Sequence, residues 1–189
     1  AGIPIALAKR RLRGLDAAFL PVNRGLYEAA SQRVMAILRR HADRFEQVGI
    51  DEAYLDVTRR VDGDFEKAAE LAQRIKAEVS AEEGLTCSVG VGPNKLVAKM
   101  AAGSQKPDGL TVVTPETVQG FLSPMPVGRL HGVGAKTERR LGELGIKTVD
   151  DLSKYDAAGL IEAFGKSFGL YLHRASRGID DTPVQERGM

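Results

Sequence analysis

Asp51 and Glu52 are adjacent carboxylates in Val48-Gly49-Ile50-Asp51-Glu52-Ala53-Tyr54-Leu55-Asp56. On either side, residues 45–50 and 53–57 have the apolar content of β-strands, which puts the dipeptide at the tip of a hairpin. Successive residues of a regular strand face opposite sides of the sheet. A tight turn lifts that restriction, and both carboxylates can then reach toward one point. Two hard oxygen donors at one point suit Mg²⁺, which takes one or two carboxylates and completes its octahedron with water and substrate phosphates. Taken alone, the pair reads first as a solvated turn, where acidic residues are common. Asp56 is a third carboxylate nearby, but strand parity turns it away from the pair and assigns it to bracing the backbone. Tyr54 reads as core rather than as a platform for stacking bases.

A second chemical segment is Leu130-His131-Gly132-Val133-Gly134-Ala135-Lys136. Gly132 and Gly134 flank one apolar residue just ahead of a helix over residues 136–144. That arrangement leaves backbone N–H groups at a positive helix terminus, a natural place for phosphate. Lys136, Arg139 and Arg140 add cationic donors on or beside the first turns. A tight helix–helix turn would use the same glycines. With Leu144-Gly145-Ile146-Lys147-Thr148 following, however, the segment resembles a helix-hairpin-helix, which grips DNA backbone without reading sequence. Lys106 stands on the turn Lys106-Pro107-Asp108-Gly109, and Lys95 and Lys99 lie one helical turn apart on a helix over residues 95–102. Those two lysines suit either template and primer phosphates or a solvated face.

These residues need elements to position them. Residues 1–13 form a helix with Pro4 in its first turn, and residues 15–22 are irregular. Leu26, Ala29, Ala30, Val34, Ile37 and Leu38 mark the buried stripe of a helix over residues 24–41. After the hairpin, Asp64 caps a helix whose buried face is Ala68, Leu71, Ala72, Ile75 and Val79, and Gly84 ends it. Residues 85–91 alternate as a strand, and residues 110–113 form another. The order is that of an α+β layer: an antiparallel-rich or mixed sheet with helices on one face, ferredoxin-like but lacking the strand that would precede the first helix. An open slot in the sheet is the expected consequence. Residues 114–122 begin as a short helix, Ser123-Pro124-Met125-Pro126 is a linker, and everything beyond is helical. The chain therefore divides into 1–113, a connection at 114–124, and an all-helical part at 125–189.

Composition narrows the function. The 189 residues are 43% hydrophobic and 28% charged, an ordinary globular balance. No apolar run reaches membrane-spanning length and no basic-then-apolar signal opens the chain, so a cytoplasmic protein with no membrane partner is expected. Cys87, the single cysteine, has no disulfide partner and reads as a buried structural thiol. His41, His131 and His173 lack the spacing of zinc ligands. The net charge of +2 conceals an asymmetry. Residues 1–42 carry eight basic against two acidic side chains, and residues 43–83 carry six against twelve.

Taken together, the motifs resemble the Y-family (translesion) DNA polymerases of the DinB branch over nearly the whole chain. The resemblance rests on Ala1-Gly2-Ile3-Pro4-Ile5-Ala6-Leu7-Ala8, Ile50-Asp51-Glu52-Ala53-Tyr54-Leu55-Asp56 and Ser88-Val89-Gly90-Val91-Gly92-Pro93-Asn94-Lys95-Leu96-Val97-Ala98-Lys99. Ser104-Gln105-Lys106-Pro107-Asp108-Gly109-Leu110 and Gly132-Val133-Gly134 complete it. It implies a palm over 1–113 and a thumb over 125–189, with Asp51 and Glu52 as two of three acidic ligands of a two-Mg²⁺ centre. It further implies Lys106 on the triphosphate of the incoming dNTP, primer–template DNA as substrate, and a sliding clamp reached through regions outside this chain.

Three departures accompany the resemblance. The family's amino-terminal strand, with a first metal-binding aspartate and a steric gate, is absent, as are most of the fingers. The family's little finger has no counterpart after Arg187-Gly188-Met189, and Gly49 stands where a serine is usual. The reading is then a polymerase fragment, inactive or nearly so alone. A non-enzymatic DNA-binding module using only the helix-hairpin-helix, and a metal-dependent nuclease using the same carboxylates, are the alternatives.

Overall fold

The structure, a computed structural model, describes residues 2–186. Ala1, the first residue of the opening motif, and Arg187-Gly188-Met189, after which the family's little finger would follow, lie outside the described residues. Helices α1 (Ile5–Arg11) and α2 (Arg24–Arg40) open the fold, with Pro4 just ahead of α1 and the Asn23 side chain capping α2 through Leu26 N–H. The expected stripe of α2 holds only in its second half. Leu26 and Ala29 are exposed, as is nearly all of the chain before them among the described residues. From Ser31 on, Ser31, Met35 and Ile37 are buried.

Strands β1 (Arg44–Gln47) and β2 (Ala53–Asp56) pair antiparallel, with Gln47 opposite Ala53 at the tip end. Helix α3 (Phe65–Glu83) follows, and its five expected core residues are all buried. The Asp64 carboxylate accepts from Glu66 and Lys67 N–H, and Gly84 ends the helix at φ 64°, the left-handed region where a side chain is disfavoured. Strand β3 (Val89–Val91), helix α4 (Lys95–Ser104) and strand β4 (Leu110–Val112) form one unit in which β4 runs parallel to β3. Of the antiparallel-rich or mixed expectation the mixed form is found: one pair is antiparallel, one parallel, and among the described residues they form two separate ladders. A parallel pair needs a crossover connection, and α4 is that crossover.

The charge asymmetry has a structural outlet where α2 lies on α3. Arg33 pairs with Glu83 at 2.8 Å, and Arg40 and His41 meet Glu78 at 3.2 and 2.8 Å. Such exposed pairs contribute little stability, so the apolar residues between the helices hold them: Ile37, Leu71, Ile75 and Val79 with Leu55 and Val57.

The remaining elements are helical: α5 (Val118–Leu122), a 3₁₀ turn (Val127–Arg129), α6 (Ala135–Glu143), α7 (Val149–Lys154), α8 (Ala157–Phe164) and α9 (Lys166–Ala175). One apolar core runs through them, including Leu122, Leu141, Leu152, Leu160 and Leu172, and takes in Leu96, Val97 and Ala101 of α4. Past α9 the chain returns to the strand-bearing part. Asn94 donates to Gly178 O at 2.8 Å, Leu96 N–H to the Asp180 carboxylate at 3.2 Å, and Gln185 N–H to Glu46 at 2.9 Å. No helix among the described residues is long and apolar enough to cross a membrane.

Candidate functional site

The hairpin tip is built from its backbone outward. Val48 and Gly49 N–H both donate to Glu52 O at 3.0 and 3.2 Å, which closes the loop and leaves Asp51 at its exposed end. Gln47 braces it through Gly49 O at 3.0 Å, and the buried hydroxyl of Ser31 donates to Ile50 O, pinning the tip to α2. Nothing in the hairpin sequence announces Ser31, although it shares the buried face of α2 with Met35. Asp56 takes the bracing role expected of it. Its carboxylate accepts from Thr58 N–H at 3.0 Å, and that bonding to Thr58 holds it below the ordinary aspartate range.

Glu52 is half-buried and ion-paired with Lys99 of α4. A carboxylate that already attracts an ammonium is a site for positive charge. Asp51 and Glu52 together offer the hard oxygen donors a divalent ion takes, so the donor chemistry of the tip fits one. Among the described residues no set of three or more His, Cys, Asp or Glu side chains converges as a metal site.

Lys95, one turn before Lys99, is placed differently. Its ammonium lies 2.7 Å from the buried Glu46 carboxylate and 4.9 Å from the centre of the Tyr54 ring, and its side chain is only 14% exposed. Burial, reinforced by the negative charge of Glu52, pushes the Tyr54 hydroxyl up to about 12. Tyr54 therefore stays neutral, half-buried in the wall behind the tip.

Lys99 also lines a cleft of about 600 Å³ between α4 and the helical part. Met100 and Gly103 form one side of this cleft, and Phe121, Met125, Arg129 and His131 belong to the other. His131 leads directly into Gly132. Its N–H meets the Met100 sulfur at 3.3 Å and its carbonyl accepts from the Tyr171 hydroxyl at 2.5 Å, so the glycine turn is moored to α4 and to α9. Gly132 has φ 83°, and a Cβ there would stand 3.0 Å from the Tyr171 ring. Gly134 caps α6 with no side chain over its first N–H groups. Lys136, Arg139 and Arg140 are all exposed on α6, and Arg140 reaches Glu143 at 2.8 Å. Lys106 is exposed on the turn beyond α4. The structure thus brings Lys99, the ion-pair partner of Glu52, and His131, the residue before the glycine turn, to one cleft, while Lys95 is turned into the protein.

A carboxylate hairpin ion-paired to α4, on a strand-and-helix layer joined through α4 to a helical part with a glycine turn ahead of a basic helix, is the palm-and-thumb arrangement of a Y-family DNA polymerase. The sequence matches the impB/mucB/samB family over residues 1–103 and a family described as "DNA polymerase-iota, thumb domain" over residues 128–180. The chain belongs to the impB/mucB/samB family, the Y-family polymerases.

Among its relatives is DNA polymerase IV of Nitrosopumilus maritimus, 48% identical over 98% of this chain and 51% of that protein. DNA polymerase IV of Saccharolobus solfataricus is 41% identical over 99% of this chain and 52% of the relative. The crystal structure of DinB from Sulfolobus solfataricus superposes with a TM-score of 0.90 at 40% identity, covering 98% of this chain and 54% of that one. An insertion ternary complex of Dbh DNA polymerase matches with the same score and identity over 98% of this chain and 53% of that one. The chain spans about half the length of the curated relatives it matches. Y-family polymerases are metal-dependent.

Proposed function

We propose that this chain is the palm and thumb of a cytoplasmic, template-directed DNA polymerase that bypasses damaged bases, extending a primer 3′-hydroxyl with dNTPs. Residues 1–113 serve as palm, 114–124 as connection and 125–189 as thumb. The observation that carries the reading is that Lys99, ion-paired with Glu52 of the tip, and His131, which leads into the glycine turn, line the same cleft. Asp51 and Glu52 would hold Mg²⁺. When bound, two such ions activate the attacking hydroxyl and neutralise charge on the departing pyrophosphate. Lys106 draws the triphosphate to the palm. The N–H groups of the α6 terminus, with Lys136, Arg139 and Arg140, hold backbone phosphates and fix how far the duplex enters the cleft.

Binding of a labelled primer–template to this chain tests the assignment. Affinity is expected to fall steeply with salt, and the pair Lys136→Ala and Arg140→Ala is expected to lower it by about tenfold or more at low salt and to flatten the salt dependence by about two phosphate contacts. Unchanged affinity in that variant removes the thumb role. Adding Mg²⁺ and dNTPs separates the chemistries. The chain alone, with two carboxylates at its tip, is expected to extend the primer poorly. Robust extension overturns that expectation, and Mg²⁺-dependent cleavage abolished by Asp51→Asn makes the protein a nuclease.

A further inference from the structure

The turn that carries Lys106 is held in place from α3. Lys76 is a largely buried lysine whose ammonium donates to Cys87 O at 2.6 Å, to Asp108 O at 2.9 Å and to the Asp108 carboxylate. An ammonium has three donors, and here all three are engaged. They tie together three segments distant in sequence: α3, the approach to β3, and the turn at residues 105–109. Two further bonds close the turn on the same side, from Val89 N–H to Gly109 O at 3.0 Å and from Gly109 N–H to the Ser88 hydroxyl at 3.3 Å. The backbone has little freedom left. Asp108 sits at φ 53°, in the left-handed region, and a Cβ on Gly109 would come within 2.1 Å of Gln105 O.

Asp108 also stands two residues from Lys106. Unneutralised, its carboxylate would compete for the Lys106 ammonium and repel a phosphate approaching it. Lys76 answers that charge from inside, leaving Lys106 to face solvent.

We infer that Lys76 is a positioning residue for Lys106: by clamping the Asp108 carbonyl and carboxylate to α3, it fixes the turn from which Lys106 receives a triphosphate and removes the competing negative charge. This rests on the reading of Lys106 as a triphosphate ligand. The test is calorimetric titration of the full chain with inorganic triphosphate at low salt.

Lys106→Ala is expected to weaken binding about tenfold and Lys76→Met about fivefold, losses typical of charge-assisted bonds. The double variant is expected to match Lys106→Ala alone, because a residue that acts through Lys106 has nothing further to remove. Lys76→Gln, which keeps donors for the carbonyls, replaces Lys76→Met if that variant does not fold. Parent-like binding by Lys76→Met, or a double variant clearly weaker than Lys106→Ala, overturns the inference while leaving the role of Lys106 intact. Parent-like binding by Lys106→Ala, or no binding by the parent chain, overturns the triphosphate reading itself and the inference with it.

Discussion

Gly90→Ala is expected to destabilise the chain by about 3 kcal/mol or more, among the larger effects available to a single added methyl. Gly90 lies in β3 directly beneath α4. A Cβ built there falls 2.1 Å from Ala98 O and 2.3 Å from Ala102 N, both backbone atoms of the helix. A crowded side chain can change rotamer, but a crowded backbone can only move as a body. Moving α4 lifts Val97 and Ala101, both fully buried, out of the core that continues into the thumb. It also shifts Lys99 away from Glu52 and Met100 away from His131, so site geometry is expected to degrade along with stability. Gly142→Ala is the matched control. It lies inside α6, a Cβ there meets nothing within 4 Å, and a gain of about 0.5–1 kcal/mol is expected from helix propensity. Urea unfolding followed by far-ultraviolet circular dichroism measures both. A Gly90→Ala midpoint within error of the parent would mean that β3 and α4 are not packed as described.

The features legible in the sequence are those determined within a turn or two of chain. Asp64 and Gly84 bound α3 because a cap and a left-handed stop are local chemistry, and its five core residues follow from the helical period alone. The Asp51–Glu52 tip is legible for the same reason, since two apolar runs around a short polar interval fold back on each other. What could not be read is what distant segments do to one another. Alternation in residues 85–91 does not distinguish a parallel from an antiparallel neighbour, and it overstates the strand, which pairs only from Val89. Leu26 carries the right residue type for a core, yet it is exposed. Cys87, expected to be buried, is half-buried, and that burial pushes its thiol up. In the site, Ser31 pins a tip 19 residues away and Glu46 engages a lysine 49 residues away. Neither pairing leaves a trace in residue spacing. The opposing charges of α2 and α3 are an intermediate case: the imbalance is visible in composition, and the fold shows Arg33 and Arg40 of α2 meeting Glu78, Glu82 and Glu83 of α3.

Glu46→Ala is expected to cost about 3–5 kcal/mol, the range for removing one member of a buried ion pair and stranding the other. Glu46 is 4% exposed, and one of its carboxylate oxygens accepts from both Lys95 Nζ at 2.7 Å and Gln185 N–H at 2.9 Å. The substitution therefore loosens three segments at once: β1 of the hairpin, α4, and the chain returning past Gly178. Lys95→Met combined with Glu46→Ala removes the charges together and is expected to recover about 1–3 kcal/mol relative to the sum of the two single losses, a coupling that urea unfolding of the parent chain, the two single variants and the double variant measures. The same pair decides what Lys95 does for DNA. An ammonium already neutralised by Glu46 releases no counterion on binding, so Lys95→Met, once folded, is expected to leave the salt dependence of primer–template binding unchanged. Lys136→Ala on the exposed face of α6 is expected to reduce that slope by about one. A reduced slope for Lys95→Met would show that the Glu46 pair opens when the duplex arrives and that α4 then offers Lys95 to the phosphates.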